Sequence, residues 1–231
     1  MSPATMRAAR VADGGALQVD RAALPEPAPG EVRVRVRACG ICGSDLHLLG
    51  AGLLPPGRIP GHEFAGRVDA VGAGVRGVAE GARVAVEPFR SCGRCAECAR
   101  GGDPLCREAA LFGVHADGGL AEAVCVPAER CFASEAGLAP EVLALAEPLA
   151  VCVHGLRRGA LAPGMRVLVL GAGSVGWLSV FAARALGAGE VWVSARHATQ
   201  ARAARDAGAT RVLGEDEADA ASLHRLGRRH P

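Results

Sequence analysis

Three glycines that follow a short apolar run constrain the fold of this chain more than any other feature. The run Arg166–Leu170 predicts a buried strand, and the glycines after it have the spacing G-x-G-x-x-G and open a segment that predicts a helix. Such glycines permit a tight turn and let backbone N–H groups at the helix N-terminus approach a pyrophosphate. A glycine turn with a purely structural role is the alternative. The predicted dinucleotide-binding residues of this turn are Gly171, Gly173, Ser174, Val175 and Gly176.

Strands and helices alternate beyond this turn. The first helix reaches about Leu186, and predicted strands over Glu190–Ser194 and Thr210–Leu213 flank a second helix over His197–Ala207. This β-α-β-α-β order is half of a doubly wound parallel sheet. We therefore expect an α/β dinucleotide-binding domain over residues 151–231, with a boundary near residue 150.

The residues after the predicted strand Glu190–Ser194 bear on the choice of dinucleotide. A NAD site typically has Asp or Glu there to bind the ribose 2′-hydroxyl, whereas this chain has Ala195, Arg196 and His197. No carboxylate repels a 2′-phosphate, and the Arg196 guanidinium can pair with one. The sequence favours NADP over NAD, with a solvated surface role for Arg196 as the alternative.

The N-terminal 150 residues have a different character. Glu31–Arg37 alternates charged and apolar residues as a half-buried strand does, and Phe64–Val71, Ala82–Val86 and Val124–Pro127 predict further strands. Glycine- and proline-rich turns separate them. Short strands with such turns indicate a compact β barrel or sandwich.

Four cysteines in a short glycine-punctuated loop predict a metal site within this β region. Thiolates at this spacing suit a closed tetrahedral zinc site, which stabilises a fold and leaves no position for substrate. Paired disulfides and an iron–sulfur cluster are the alternatives, and disulfides fit poorly with a reducing compartment. The predicted structural ligands are Cys92, Cys95, Cys98 and Cys106.

A second group of zinc-competent side chains precedes this loop. Cys42 lies in the stretch C-G-S-D-L-H, and His62 and Glu63 follow in G-H-E. A catalytic zinc keeps three protein ligands and one open position, and Glu63 can serve as a direct ligand or support one. The alternative is that Cys42 is a small buried apolar residue and His62 a satisfied core imidazole. The spacing by itself does not decide between them.

Composition excludes several other functions. The net charge is +2, from 26 Arg and Lys against 24 Asp and Glu, without the basic clustering that nucleic-acid binding requires. No apolar run approaches the roughly 20 residues of a membrane helix, and the N-terminus lacks the apolar core of a signal peptide. We expect a cytoplasmic protein with neither nucleic-acid nor membrane partners.

Taken together, these motifs resemble the zinc-containing medium-chain dehydrogenase/reductase family, which includes alcohol, sorbitol and threonine dehydrogenases. The resemblance covers about Met6 to Leu213. It implies a GroES-like β barrel catalytic domain over residues 1–150 and a partial Rossmann domain over 151–231. It also implies two Zn²⁺ per chain, hydride transfer between NAD(P) and an alcohol, polyol or ketone, and possible homo-oligomers.

The resemblance also implies roles for single residues. Cys42 and His62 bind the catalytic zinc, with Cys39 a neighbour, and Glu147 matches the position that completes the site in sorbitol and threonine dehydrogenases. A carboxylate favoured by a helix start is the alternative for Glu147. Two further residues are implied in catalysis, as a relay for the substrate hydroxyl proton: Ser44 and His47.

The chain departs from the family at its C-terminal end. A doubly wound domain typically has six strands, and this sequence predicts about three, followed by the segment Gly214–Pro231, which does not predict a strand. We expect an adenosine half-site beside an exposed sheet edge. An inactive zinc-stabilised remnant or interaction module is therefore the alternative to an active dehydrogenase, and a zinc hydrolase would leave the glycine fingerprint without a purpose.

Overall fold

The computed structural model describes residues 4–214 and Glu217. The chain forms two compact units that divide between Glu147 and Pro148. In the described residues no helix is both long and apolar enough to cross a membrane. The predictions for the C-terminal tail fall, apart from Gly214 and Glu217, outside the described residues.

The first unit is built mainly of antiparallel strands. Five of its strands form a sheet in the order β8-β3-β4-β5-β9, and β1 pairs with β2 and β6 with β7. These strands are β1 (Thr5–Val11), β2 (Leu17–Ala23), β3 (Glu31–Gly40), β4 (Glu63–Val71), β5 (Arg83–Val86), β6 (Phe89–Arg90), β7 (Ala110–Leu111), β8 (Ala123–Pro127) and β9 (Cys131–Ala133). The helices of this unit are α1 (Gly43–Gly50), α2 (Ala96–Ala99) and α3 (Pro140–Ala144).

The alternating sequence of β3 explains how the five-stranded sheet is anchored. Val32 and Val34 are fully buried on one face, where they join the main core of the unit. On the other face Arg33 and Arg35 each donate from Nε to Asp69 of β4, at 2.8 Å. A shift of one residue would bury these arginines, so the pattern fixes the register. The described strands form an open sheet with two strand pairs, and not the closed barrel that was expected.

The second unit has the predicted alternation of strands and helices. In the part that the structure describes, three parallel strands pair in the order β10-β11-β12. Val191 and Val193 of β11 are fully buried and pack with Val180 of the intervening helix. The elements are α4 (Ala146–Arg158, which begins two residues before the boundary), β10 (Arg166–Val169), α5 (Ser174–Ala185), β11 (Glu190–Ser194), α6 (Ala198–Asp206) and β12 (Arg211–Leu213).

The prediction that Arg166–Leu170 is a buried strand is wrong in one respect. The strand forms, but Leu168 is 42% exposed and Leu170 is 69% exposed. The reason is its place in the sheet, because β10 pairs only with β11 among the described residues and is an edge strand. Sequence pattern shows that a segment is apolar, whereas its burial depends on what packs against it.

Candidate metal centres and nucleotide site

The four predicted structural ligands meet in one cluster. One sulfur from each of Cys92, Cys95, Cys98 and Cys106 lies within 4.8 Å of the others. The Cys98 sulfur is 3.5 Å from that of Cys95 and 3.9 Å from that of Cys92, and only Cys106 is buried. The short helix α2 and the turn of 3-10 helix Asp103–Leu105 place the sulfurs. Four converging thiols have the number and chemistry of a closed zinc site.

The pKa values of two thiols in this cluster are shifted in opposite directions. Hydrogen bonds, first from the Cys98 backbone N–H and then from its thiol, lower the pKa of Cys95. Burial is the main cause that raises the pKa of Cys98. The two thiols interact, and a divalent cation would displace the protons that they carry. The donor set therefore fits a zinc ion.

The second cluster joins three residues from different elements. Cys42 immediately precedes α1, His62 precedes β4 and Glu63 begins it, and one ligand atom from each lies within 4.8 Å of the others. His62 is buried, whereas Cys42 and Glu63 are partly exposed. A Cβ on Gly40 would lie 2.3 Å from Glu63 Oε2, so only glycine lets the carboxylate occupy this position.

A buried carboxylate, to which the sequence assigned no role, lies behind His62. Asp45 is 1% exposed, its Oδ1 lies 3.4 Å from His62 Nδ1, and its Oδ2 accepts from the Cys42 backbone N–H at 2.9 Å. Asp45 raises the pKa of His62 to about 9. Burial alone would raise the pKa of Asp45, but His62 and the Cys42 N–H outweigh it and lower that pKa. The C-G-S-D motif was the only sequence signal for it.

This arrangement fits a metal ion on chemical grounds. Asp45 Oδ1 and His62 Nδ1 are buried and make no hydrogen bond of normal geometry within the described chain. A metal-binding histidine typically faces a carboxylate through its second ring nitrogen, which leaves the first to ligate. The chain presents a sulfur, an imidazole and a carboxylate oxygen, with the carboxylate in place behind the imidazole. That is a zinc-type donor set of three ligands, one fewer than a tetrahedral zinc ion binds.

The two predicted relay residues lie differently. Ser44 Oγ is 3.4 Å from His62 Nε2, so the structure brings Ser44 to the cluster. His47 is exposed on the same helix, three residues further along α1. Residues at this spacing share one face of a helix. Both residues are exposed, and of the two Ser44 is the one that contacts the cluster.

Glu147 and Cys39 lie near the cluster without being part of it. Burial is the main cause that raises the pKa of Glu147, and the charges of His62, Glu63 and Asp45 also act on it. Cys39 is a thiol whose pKa is raised to about 12 by burial and then by Asp45 and Glu63. Neither residue is among the ligand atoms within 4.8 Å of one another.

A cavity of about 410 Å³ lies where the second unit turns from strand to helix. Gly171 has a φ of 93° and donates its N–H to Ser194 Oγ at 2.9 Å. A Cβ on Gly176 would lie 1.9 Å from the Gly171 carbonyl oxygen, so Gly176 lets the helix approach the turn. The cavity is lined by Gly171, Ala172, Gly173, Ser194, Ala195, Arg196, His197 and Gln200.

The lining separates the predicted nucleotide residues into two groups. Gly171, Gly173 and Arg196 face the cavity, whereas Ser174, Val175 and Gly176 begin α5 and do not line it. Sequence reasoning predicted no role for Ser194 or Gln200. Their places at the end of β11 and in the first turn of α6 are the signal that could have revealed them.

Comparison with known proteins places this chain in a family. Residues 28–136 match the alcohol dehydrogenase GroES-like domain. An L-threonine 3-dehydrogenase from Pyrococcus furiosus is 38% identical over 85% of the chain, which spans only 58% of that protein.

Two solved structures share the architecture. A zinc-binding dehydrogenase from Sinorhizobium meliloti bound to NADP matches 94% of the chain at 41% identity and a TM-score of 0.87, and the match covers 64% of that structure. A cobalt- and zinc-bound thermostable alcohol dehydrogenase from Pyrobaculum aerophilum is 35% identical, with a TM-score of 0.83 over 94% of this chain and 68% of its own. The chain belongs to the zinc-containing medium-chain dehydrogenase/reductase family of alcohol, sorbitol and threonine dehydrogenases.

Proposed function

We propose that this protein is a zinc-dependent oxidoreductase that transfers hydride between an alcohol or polyol and NADP. The observation that carries the proposal is the convergence of Cys42, His62 and Glu63 within 4.8 Å, with the Asp45 carboxylate 3.4 Å from the second ring nitrogen of His62. This donor set suits a catalytic metal better than a structural one, because it mixes ligand types and leaves a position open.

The residues of the cluster would have different roles in binding and orienting the metal site. Zinc bound there would act as a Lewis acid on the substrate oxygen. Cys42 and His62 would hold it, and Asp45 would fix the ring orientation of His62. Glu63 and Glu147 are carboxylates available to complete the ligand set, with Glu63 the nearer of the two.

Ser44 and His47 would move the proton released from the substrate hydroxyl. Ser44 Oγ lies at the cluster, 3.4 Å from His62 Nε2, where it can accept a hydrogen bond from the substrate. His47 is exposed on the same helix, where its imidazole would pass the proton on to water. The relay would therefore run from Ser44 at the cluster to His47 one turn further along α1.

The nucleotide cavity favours NADP. Its lining includes Arg196 and His197 and no carboxylate that would repel a 2′-phosphate. The turn at Gly171, Gly173 and Gly176 would hold the pyrophosphate near Ser174 and Val175 at the start of α5. The bound dinucleotide supplies the hydride chemistry.

We assign the GroES-like catalytic domain to residues 1–150 and the first half of a Rossmann domain to 151–231. The four cysteines Cys92, Cys95, Cys98 and Cys106 would hold a second, structural zinc. All nine cysteines are free thiols, which favours the reducing cytoplasm. Homo-oligomers belong to the proposal as an expectation from the family.

Zinc content and turnover test the proposal together. The wild-type chain should bind two zinc ions and oxidise alcohols or polyols more efficiently with NADP than with NAD. Cys42→Ala and His62→Ala should each bind one zinc and lose turnover, because each removes a ligand. Cys39→Ala, which replaces a neighbouring thiol outside the cluster, should keep both zinc ions.

Two results would overturn different parts of the proposed function. Two zinc ions in Cys42→Ala and His62→Ala would refute the ligand assignment. Two zinc ions and bound NADP in a wild-type chain that oxidises no alcohol or polyol would refute the catalytic part for this polypeptide. The zinc-stabilised interaction module would then be the better description.

A further inference from the structure

A cavity in the first unit is lined by none of the cysteines of the two clusters. Its volume is about 490 Å³, within the range of sites that enclose small organic ligands. The β1–β2 hairpin, the start of β8 and the segment around Phe112 contribute to its walls. None of its lining residues belongs to the metal clusters or the nucleotide cavity, so what it binds is independent of the proposed function.

Three buried apolar side chains form one part of the cavity wall. Met6, Ile59 and Phe112 line it and are each at most 4% exposed. Cys125 also lines it, and burial raises the pKa of this thiol to about 12, so the wall carries no thiolate at neutral pH. These apolar side chains favour contact with a hydrocarbon or aromatic group on their part of the wall.

Three of the charged residues that line the cavity have partners within the protein. Arg90 is paired with Glu31 at 3.4 Å, and Asp117 accepts from the Ile59 N–H and from Arg58. These charges are therefore satisfied within the protein.

Two other lining arginines have no carboxylate partner in the part of the chain that the structure describes. Arg10 donates from Nε to the Gly57 carbonyl oxygen at 3.2 Å, and Arg21 donates from Nη2 to the Thr5 hydroxyl. Both acceptors are neutral, so these two positive charges at the cavity wall can each take a carboxylate. Arg10 is the more enclosed of the two and extends from the same side of β1 as Met6.

We propose that this cavity binds a small organic acid, with its apolar body against Met6, Ile59 and Phe112 and its carboxylate at Arg10. The terminal nitrogens of Arg10 make no hydrogen bond within the described residues, and a guanidinium pairs with a carboxylate in two parallel hydrogen bonds. Arg21 adds a second positive charge at the wall. The apolar end of the ligand would thus be buried, while its carboxylate end would pair with an arginine.

Octanoate is a suitable probe, with octanamide as its uncharged counterpart. The zinc-loaded full chain should bind octanoate at least about tenfold more tightly than octanamide in calorimetric titrations, because only octanoate pairs with Arg10. The chain has three methionines, so methyl NMR can report the place of binding. Octanoate should shift the Met6 methyl signal and leave that of Met165, in the second unit, unchanged.

Three variants separate this cavity from the metal site. Arg10→Gln should weaken octanoate binding about tenfold and leave octanamide binding unchanged. Arg83→Gln, which replaces an exposed arginine of β5 outside the cavity, should bind octanoate like the wild type. Cys42→Ala should also bind octanoate normally, because the carboxylate is not expected at the catalytic zinc.

The proposal fails if octanoate and octanamide bind equally, or if the Met6 methyl signal does not shift. It also fails if Cys42→Ala abolishes binding while Arg10→Gln preserves it, since the carboxylate would then be on the metal. The Met6 shift is measured on the wild-type chain, so the proposal stays testable even if Arg10→Gln does not fold.

Discussion

The two cysteine-containing clusters of the first unit use similar atoms in different ways. The four-thiol cluster takes all its ligands from one stretch of 15 residues, Cys92 to Cys106. The second takes a thiol from the start of α1 and two ligands from the start of β4, about 20 residues later in the chain. The first closes a local loop on itself, whereas the second exists only when the sheet has formed.

This difference separates the energetic roles of the two sites. A loop with few apolar residues depends on its metal for order, so the four-thiol cluster should contribute directly to folding. The second cluster stands on a sheet that is already held by the buried valines of β3, β4 and β5. It can therefore lose its metal without losing its shape. The predictions below test this division, from the largest expected effect to the smallest.

Replacing Cys106 should have the largest effect on stability. Cys106→Ser removes the one buried ligand of the four-thiol cluster, so the chain should bind one zinc fewer and unfold about 10 °C lower in thermal scans. Cys131→Ser is the matched control, because Cys131 is a buried thiol outside both clusters. Equal zinc contents and equal unfolding temperatures in the two variants would contradict a structural zinc at this cluster.

The second cluster should show a pH dependence when it lacks its metal. Asp45 raises the pKa of His62 to about 9, from an ordinary value of 6.5. A raised pKa stabilises the folded state below pH 6.5, and this contribution is lost as the pH rises through 9. Cys42 also raises this pKa, so Cys42→Ser keeps only the larger contribution, that of Asp45. In this variant, which keeps the four-thiol cluster intact, the free energy of unfolding should fall by about 2 kcal/mol between pH 6 and pH 9.

The double variant Cys42→Ser/Asp45→Asn is the control for that measurement. It removes the carboxylate that holds the proton on His62, so the fall in the free energy of unfolding from pH 6 to pH 9 should be much smaller. Urea denaturation at several pH values measures both variants. An equal fall in the two would show that thiols elsewhere in the chain, and not the pair of Asp45 and His62, cause the dependence.

The contrast between the two clusters also explains how much of the site the sequence could predict. Ligands in one loop are visible as spacing, and the four cysteines indeed meet. For Cys42 and His62 the spacing left two interpretations open, because only the pairing of β3 with β4 places Gly40 opposite Glu63 and so brings the two segments together. The contact of Asp45 with His62 could not be predicted from the sequence, because its burial behind His62 depends on the tertiary structure.

The second unit shows the same limit at the level of the fold. Its strands and helices form close to their predicted positions, because glycine turns and apolar periodicity are local signals. The exposure of Leu168 and Leu170 on β10 was not visible in the run Arg166–Leu170 itself. Exposure is decided by neighbouring elements, which a local pattern does not contain.

A residue that attaches the four-thiol loop to the sheet should have an intermediate effect. Arg130 is 12% exposed, pairs with Glu87 at 2.8 Å and with Asp103 in the loop, and lies 5.4 Å from the centre of the Phe89 ring. Arg130→Met should cost about 1–2 kcal/mol in urea denaturation, because both carboxylates are partly solvated and need no other partner.

The zinc content of Arg130→Met should stay at the wild-type value, since the four sulfurs remain. Arg83→Met is its control, as it removes an exposed arginine that pairs with no carboxylate in the described structure. A loss of zinc in Arg130→Met would mean that the loop needs the sheet to bind its metal. The cluster would then be less self-contained than its contiguous ligands suggest.

The smallest effect is expected at an ion pair on the surface of the same loop. Arg94 lies between Cys92 and Cys95 and pairs with Glu108 at 2.7 Å, but the two side chains are 75% and 57% exposed. Water and salt screen such a pair, so Arg94→Gln should leave the unfolding temperature within about 1 °C of the wild type and keep both zinc ions. Thermal scans at low and high salt measure this. A large loss at low salt would show that the charge of Arg94 compensates the ionised thiols, and that the loop depends on its surface charges as well as on its metal.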